Sequence, residues 1–366
     1  MSPPGLSHSP LTLATNRLTS IASHIRTDAE KLKVIVLRDM GPDVMPLLYD
    51  RPELNVVMWP HDKACKRQWI LENVPGASGI LATIVDKIKA GPSLRVISTM
   101  SVGYEHIDVQ TAAQRDIKVG YTPDVLTEAV ADISVMLALM ASRNGRQGIE
   151  FVGRGEWPHW APYTLCGPQL STNPITQTRT AGFIGFGRIS QATLSRLIPF
   201  GFTNCIFTSS PTSKSNPQVE EELRKKFNLR SLRRGTLDDV ARGSDVVFVL
   251  APGGPQTYYI VNEDFLRKMK KTAVLVNTAR GTLVDSDALA KALREGWIWG
   301  AGVDVVEGEP DVGIDHPLVK EPRCVIVPHI GSATNETRLT MASLAAKNLI
   351  AGLFNEPMPV PLQLNK

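Results

Sequence analysis

Cysteine is scarce in this 366-residue chain. The four present, Cys65, Cys166, Cys205 and Cys324, are widely scattered and form no C-x-x-C pair. Their scatter argues against a disulfide framework and against a zinc site, so no metal is expected. It fits a reducing compartment, the cytoplasm in the first instance. Long apolar runs are also lacking. No stretch approaches the roughly 20 residues that span a bilayer, and no membrane partner is expected. An excess of one charge is nearly absent, with 40 basic residues against 36 acidic ones and a formal net charge of +4. That excess suits an anionic small molecule but not nucleic acid. The basic cluster Arg230, Arg233 and Arg234 lacks interleaved aromatics and reads as a solvated face. Acids are missing from residues 1–26, where Arg17 and Arg26 accompany a weak apolar stripe of Leu11, Leu13, Leu18 and Ile21. That pattern resembles a mitochondrial transit peptide. The plainer reading, a disordered or loosely docked arm over residues 1–29, is favoured. Solenoid repeats and low-complexity tracts are absent.

What is present, from Lys33 onward, is an alternation of short β-branched runs with helix-compatible stretches. Residues 33–37, 55–58, 79–83, 94–98 and 117–120 read as strands, and the alternation predicts a parallel, doubly wound sheet. A helix is predicted over 127–142, where Ala129, Val130, Ile133, Met136, Leu137 and Met140 recur at helical spacing. It reads as a rigid connector to a second unit with strands at 181–184, 205–207, 246–250, 273–276, 300–304 and 325–327. Thr236 and Asp285 are N-cap signals. A last helix is predicted over about 336–353, with Leu339, Leu344, Ala345, Leu349 and Leu353 on its apolar face. The proline-rich tail after it cannot continue the helix. A chain of this length is expected to hold two domains, and the fold class is α/β.

The second unit opens with Ala181-Gly-Phe-Ile-Gly-Phe-Gly-Arg-Ile-Ser190, an apolar strand leading through a glycine turn into a helix. Gly185 permits the tight turn, and Gly187 lets the backbone approach a pyrophosphate at the helix N-terminus. The third glycine of the fingerprint is replaced by Ser190, which is small enough to keep helix and strand close. A further absence follows. A dinucleotide fold normally carries Asp or Glu about 20 residues past the glycines, for the ribose hydroxyls. Here the strand runs into Thr208-Ser-Ser-Pro-Thr-Ser-Lys214, with hydroxyls and a lysine in place of an acid.

Three segments stand where later strands should end: Asn277-Thr-Ala-Arg-Gly281, Asp304-Val-Val-Glu-Gly-Glu-Pro310 and Pro328-His-Ile-Gly-Ser332. Ligands of open α/β sheets bind outside the carboxyl ends of the strands, so Arg280, Glu309 and His329 can converge on one ligand. Taken singly, each has a plain alternative: a surface ion pair for Arg280, solvation for Glu309, a loop histidine for His329. Together with Val96-Ile-Ser-Thr-Met-Ser-Val-Gly103, Val119-Gly-Tyr-Thr-Pro-Asp-Val-Leu126, Gly182–Arg188, Pro328–Thr334 and Asn355-Glu-Pro-Met-Pro359, these segments resemble the D-isomer-specific 2-hydroxyacid dehydrogenase family. Within it the likeness is to the glyoxylate and hydroxypyruvate reductase branch, and it covers nearly everything after Lys33.

The resemblance implies that Arg280 clamps the substrate carboxylate and polarises its ketone, that His329 protonates the carbonyl oxygen, and that Glu309 bonds the far imidazole nitrogen. A histidine is only partly protonated at neutral pH, and a neighbouring carboxylate raises that fraction. Arginine suits the clamp because its planar fork matches a carboxylate. Val102 and Gly103 would offer backbone N–H groups to the same carboxylate. The implied cofactor contacts are Thr127; Gly185, Phe186, Gly187, Arg188 and Ile189; Ser209, Ser210 and Lys214; Ala251, Pro252 and Thr257; Thr278 and Ala279; Asp304, at the nicotinamide end; and Gly331. The missing acid predicts NADP(H) as the preferred cofactor, with NAD(H) as the alternative, and Arg233 or Arg234 could fold back to add charge. The expected reaction is reduction of short 2-oxo acids, glyoxylate or hydroxypyruvate, to glycolate or D-glycerate.

The resemblance also implies two Rossmann-like doubly wound domains, with a cofactor domain (125–330) inserted into a discontinuous substrate domain (30–124 and 331–366). A homodimer is expected in which Trp160, in the aromatic segment Glu156–Tyr163, borders the partner's active site. Two competitors lie on the same scaffold. Formate dehydrogenases need a different polar set near the histidine, and phosphoglycerate-type enzymes usually carry the acid missing here. A third reading, of another class, is a corepressor-like protein that senses NAD(H) and binds peptides.

Overall fold

The computed structural model describes residues 31–83, 93–210 and 213–364. The arm over 1–29, with its transit-peptide signal, lies outside the described residues, as do Pro211 and Thr212 of the cofactor-strand loop. No helix among the described residues is long and apolar enough to cross a membrane.

Two parallel sheets organise the chain. The first contains β1 (Leu32–Val36), β2 (Leu54–Met58), β3 (Ala77–Ala82), β4 (Val96–Thr99) and β5 (Lys118–Gly120), in the order β2-β1-β3-β4-β5. Both faces are covered, which is why its strands read as continuous apolar runs. Along β1 the side chains alternate: Val34 and Val36 pack under Ala342, Ala345 and Leu349 of helix Asn335–Leu353. Ile35 and Leu37 point the other way, toward Ile70 and Ala112 of helices Arg67–Asn73 and Val109–Gln114. The tail returns to this sheet, where Leu362 N–H donates to the Val119 carbonyl at 2.7 Å.

The second sheet contains β6 (Arg179–Ile184), β7 (Phe202–Thr208), β8 (Ser231–Arg234), β9 (Val246–Val249), β10 (Val274–Asn277), β11 (Gly300–Val303) and β12 (Cys324–Ile326). Its order is β12-β11-β10-β9-β6-β7-β8. The order reverses between β6 and β9, and that switch point is where an open sheet leaves a crevice for a ligand. The two sheets bear out the expected pair of Rossmann-like α/β units.

Three details differ from the sequence reading. Strand β8 was not foreseen. It is an edge strand with one apolar residue, Leu232, and it pairs in parallel with Asn204–Phe207. An exposed edge needs no alternating pattern; Arg233 stays exposed as expected while the backbone joins the ladder, but Arg234 is half-buried. Met136 is exposed on helix Thr127–Ser142, whose buried side keeps the expected Ala129, Val130 and Leu137 and adds Ser134, Ala138 and Ala141. That helix packs on β11 so closely that a Cβ at Gly302 would sit 2.7 Å from Leu137 Cβ. On helix Asn335–Leu353, Leu339 is exposed and Leu344 only half-buried. The core face is Met341, Ala342, Ala345, Ala346, Leu349, Ile350 and Leu353.

Candidate active site

The glycine turn is built as its spacing requires. Gly185 has φ +88°, and a Cβ there would lie 2.8 Å from the Ala251 backbone, so only glycine fits. Gly187 is the N-cap of helix Arg188–Leu197, with no side-chain cap and nothing within 4 Å of where a Cβ would stand. Open space above a helix N-terminus with free N–H groups fits a pyrophosphate. Ser190 takes the third glycine's place and adds a clip, its hydroxyl donating to the Gly185 carbonyl at 2.8 Å. Phe186 turns inward and stacks on Phe207, with ring centroids 4.5 Å apart. Arg188 pairs with Asp124 across the cleft mouth.

At the end of β7, Ser209 is half-buried and Ser210 and Lys214 are exposed. The Arg234 guanidinium reaches over from β8 and donates to the carbonyls of Ser213 (2.8 Å) and Ser210 (3.1 Å). Arg233 points elsewhere, into an ion pair with Asp239 at 3.0 Å.

The ends of β10, β11 and β12 bring Arg280, Glu309 and His329 to one cleft of about 940 Å³, which also runs past Ile189, Ala251, Pro252, Thr278, Ala279 and Gly331. His329 has φ +53°, a strained conformation for a non-glycine residue that must be held by its surroundings. Asp304 does the holding: its carboxylate accepts from the N–H groups of Ile330 (2.7 Å) and Gly331 (2.9 Å), and its carbonyl accepts from His329 N–H at 2.8 Å. Burial pushes the Asp304 carboxyl pKa upward, against the pull of those donors and of His329. His329 Nδ1 lies 3.0 Å from Glu309 Oε1, and among the described residues Nε2 is the unengaged ring nitrogen.

Val102 and Gly103 follow β4 and line the same cleft. A Cβ on Gly103 would collide with the Arg280 guanidinium, so glycine here is what lets the cation reach the loop backbone. Arg280 donates to its neighbour's carbonyl, Ala279 O, at 2.6 Å and pairs with Glu105 at 3.3 Å. Glu105 was missed by the sequence reading, and so was His106. The His106 Nε2 sits 2.9 Å from Thr99 Oγ1, and burial lowers its pKa to about 4. Nothing but its neighbourhood to the Val-Gly step singles out Glu105 in the sequence.

Nine expected contacts are not on the cleft wall: Gly185, Phe186 and Gly187 of the turn, Ser209, Ser210 and Lys214 after β7, and Thr127, Thr257 and Trp160. Thr127 begins its helix beside Leu126 and Val130, which are on the wall. The Thr257 hydroxyl is turned onto the Pro252 carbonyl at 2.8 Å. Trp160 is 62% exposed and lies outside the cleft of its own chain. Among the described residues, no group of His, Cys, Asp or Glu is arranged to hold a metal ion.

Comparison with known proteins agrees with this architecture. Residues 135–331 match the family model of the D-isomer specific 2-hydroxyacid dehydrogenase NAD binding domain. The chain is 39% identical over 339 residues to the human glyoxylate reductase/hydroxypyruvate reductase, covering 91% of this chain and 98% of that one. It is 41% identical over 314 residues to a glyoxylate reductase of Thermofilum pendens, covering 84% and 86%. Among solved structures, it is similar to the NADPH-dependent glyoxylate/hydroxypyruvate reductase of Sinorhizobium meliloti in complex with NADP and malonate. That likeness has a TM-score of 0.73 and 30% identity, over 91% of this chain and 97% of the other.

Proposed function

The chain belongs to the D-isomer-specific 2-hydroxyacid dehydrogenase family and is an NAD(P)-dependent dehydrogenase that reduces short 2-oxo acids; on that premise we propose that its substrates are glyoxylate and hydroxypyruvate, that NADPH is preferred over NADH, and that Arg280, Glu309 and His329 carry the reaction. The observation that carries this reading is the His329–Glu309 pair at 3.0 Å on the cleft that also holds Arg280 and, just past the glycine turn, Arg188 and Ile189.

Arg280 takes the substrate carboxylate in its fork, and the N–H groups of Val102 and Gly103 complete the anion site. Substrate must displace Glu105 from the same guanidinium. His329 Nε2 donates the proton to the carbonyl oxygen, while Glu309 holds Nδ1–H and stabilises the ring's positive charge. A positioned proton donor of this kind typically contributes about 10²–10⁴-fold to the rate. Gly185, Gly187 and Ile189 would hold the cofactor's pyrophosphate, and Thr278, Ala279 and Asp304 its nicotinamide end. The nicotinamide, when bound, supplies the hydride.

The NADPH preference rests on two observations at the end of β7. No carboxylate stands there to repel a 2′-phosphate, and the Arg234 guanidinium, which forms no ion pair among the described residues, lies against Ser210 and Ser213. Arg234 is thus the cation for that phosphate, with the hydroxyls of Ser209 and Ser210 as further donors. A second copy of the chain is the proposed partner, covering Trp157 and Trp160 and placing Trp160 at the neighbouring cleft.

A spectrophotometric screen of glyoxylate, hydroxypyruvate, pyruvate and phenylpyruvate, each with NADPH and NADH, tests the reading. We expect the first two acids with NADPH to show the highest kcat/KM, and Ser209→Asp to shift the preference toward NADH. A higher kcat/KM with NADH in the unmodified protein would overturn the cofactor assignment. No turnover with any of the acids would return the NAD(H)-sensing alternative.

A further inference from the structure

Four arginines line the cleft: Arg38, Arg188, Arg280 and Arg338. Arg188 is paired with Asp124 and Arg280 with Glu105. The other two form no ion pair among the described residues. Among the described residues Arg38 makes one weak contact, to the Asp62 carbonyl at 3.3 Å, and its buried Nε has no acceptor. The Arg338 side chain is half-buried and makes no hydrogen bond among the described residues. Its position is also unfavourable locally. It is in the first turn of helix Asn335–Leu353, where a cation opposes the helix dipole. Burial lowers its pKa, with Asp304 only partly offsetting the effect.

Both arginines come from segments of the first-sheet unit. Arg38 stands two residues past Val36, in the bend that follows β1, and lines the cleft. Val36 packs in the same cluster as Ala342, on the helix side of the first sheet. Arg338 is one helical turn before Ala342, on the same stripe. The bend after β1 and the start of the helix packed on that strand therefore each bring a cation to the same cleft. The acids of the cleft are engaged elsewhere: Glu105 with Arg280, Glu309 with His329, and Asp304 with the turn behind the histidine.

We propose that Arg38 and Arg338 form a second anion subsite, on the first-sheet side of the cleft, that receives an oxygen-bearing substituent on C3 of the 2-oxo acid. A carboxylate or hydroxyl there supplies the acceptor that the protein itself withholds, whereas glyoxylate, which has no C3, leaves the subsite unfilled. The inference rests on the 2-oxo acid reduction proposed above and adds which acids the cleft selects.

The test compares kcat/KM for hydroxypyruvate and for oxomalonate, each relative to glyoxylate, in the unmodified protein, Arg38→Met and Arg338→Met. NADPH affinity is measured alongside by nucleotide fluorescence. Each substitution should lower both ratios by about tenfold or more, the range for a hydrogen bond to a charged group, with NADPH affinity changed less than twofold. Arg38→Lys and Arg338→Lys keep the charge without the fork, guard against a variant that fails to fold, and should lose part of the discrimination. Ratios unchanged within twofold would overturn the subsite, as would a loss confined to NADPH affinity. An unmodified protein that reduces none of these acids overturns the parent reading as well, so the two failures are distinguishable.

Discussion

At the residue scale, the active-site chemistry depends on groups held by their neighbours. His329→Ala should lower kcat with glyoxylate by at least about 10²-fold, the share of a lost proton donor, while NADPH affinity stays near its original value. Steady-state kinetics beside a fluorescence titration checks this, and a variant retaining full kcat would remove His329 from the proposed role. His106 offers a pH test. Burial and, to a smaller extent, Arg280 hold its folded pKa at about 4, with Glu105 opposing, against a usual value of 6.5. Between those values the unfolded chain binds the extra proton and the folded chain does not. The stabilisation is therefore complete above about pH 6.5 and is lost as pH falls toward 4, to a total on the order of 3 kcal/mol. Melting temperatures from pH 4.5 to 7.5 should fall more steeply on acidification in the unmodified protein than in His106→Gln. Parallel curves would contradict it.

At the element scale, the two glycines of the cofactor turn differ in a way their shared motif conceals. Gly187 has an ordinary backbone and open space around its missing side chain, so Gly187→Ala should fold normally. The added methyl stands where phosphate must approach, and the dissociation constant for NADPH should rise about tenfold or more with Tm unchanged. Gly185→Ala meets backbone at 2.8 Å in a left-handed conformation and should instead cost about 1–3 kcal/mol of stability. Thermal melts and cofactor titrations on both variants separate the two roles. If Gly187→Ala binds NADPH as tightly as before, the pyrophosphate does not cross that glycine. The turn was legible because every part of it is local: strand, glycines and helix start follow one another within ten residues. Strand β8 was not, since an edge strand with one apolar residue has no pattern to show.

At the scale of the whole molecule, Ile149 and Val152 on helix Gly145–Gly153, with Trp157, Trp160 and Tyr163 after it, are all exposed. Neighbouring apolar side chains of this size mark a contact surface, and aromatic anchors favour a second copy of the chain. We expect a dimer mass by light scattering at micromolar concentration. Trp160→Ala should raise KM for hydroxypyruvate if the partner's tryptophan borders the cleft. A monomer at that concentration rules the arrangement out.

The sequence by itself determined the two α/β units, most strand positions, the glycine turn and the convergence of Arg280, Glu309 and His329 on one cleft. Each of these is written in short-range pattern: apolar runs between turns, glycine spacing, and polar residues placed just past strand ends. Tertiary structure alone decided which distant segments meet. Glu105 opposes Arg280 because the β4 and β10 loops face each other across the cleft, 175 positions apart in the chain. Arg234 reaches the Ser210 loop because β8 pairs beside β7. Arg38 and Arg338 line one cleft because the last long helix packs back over the first strand. None of these meetings leaves a local signature, since contact between residues so far apart is set by how the layers stack.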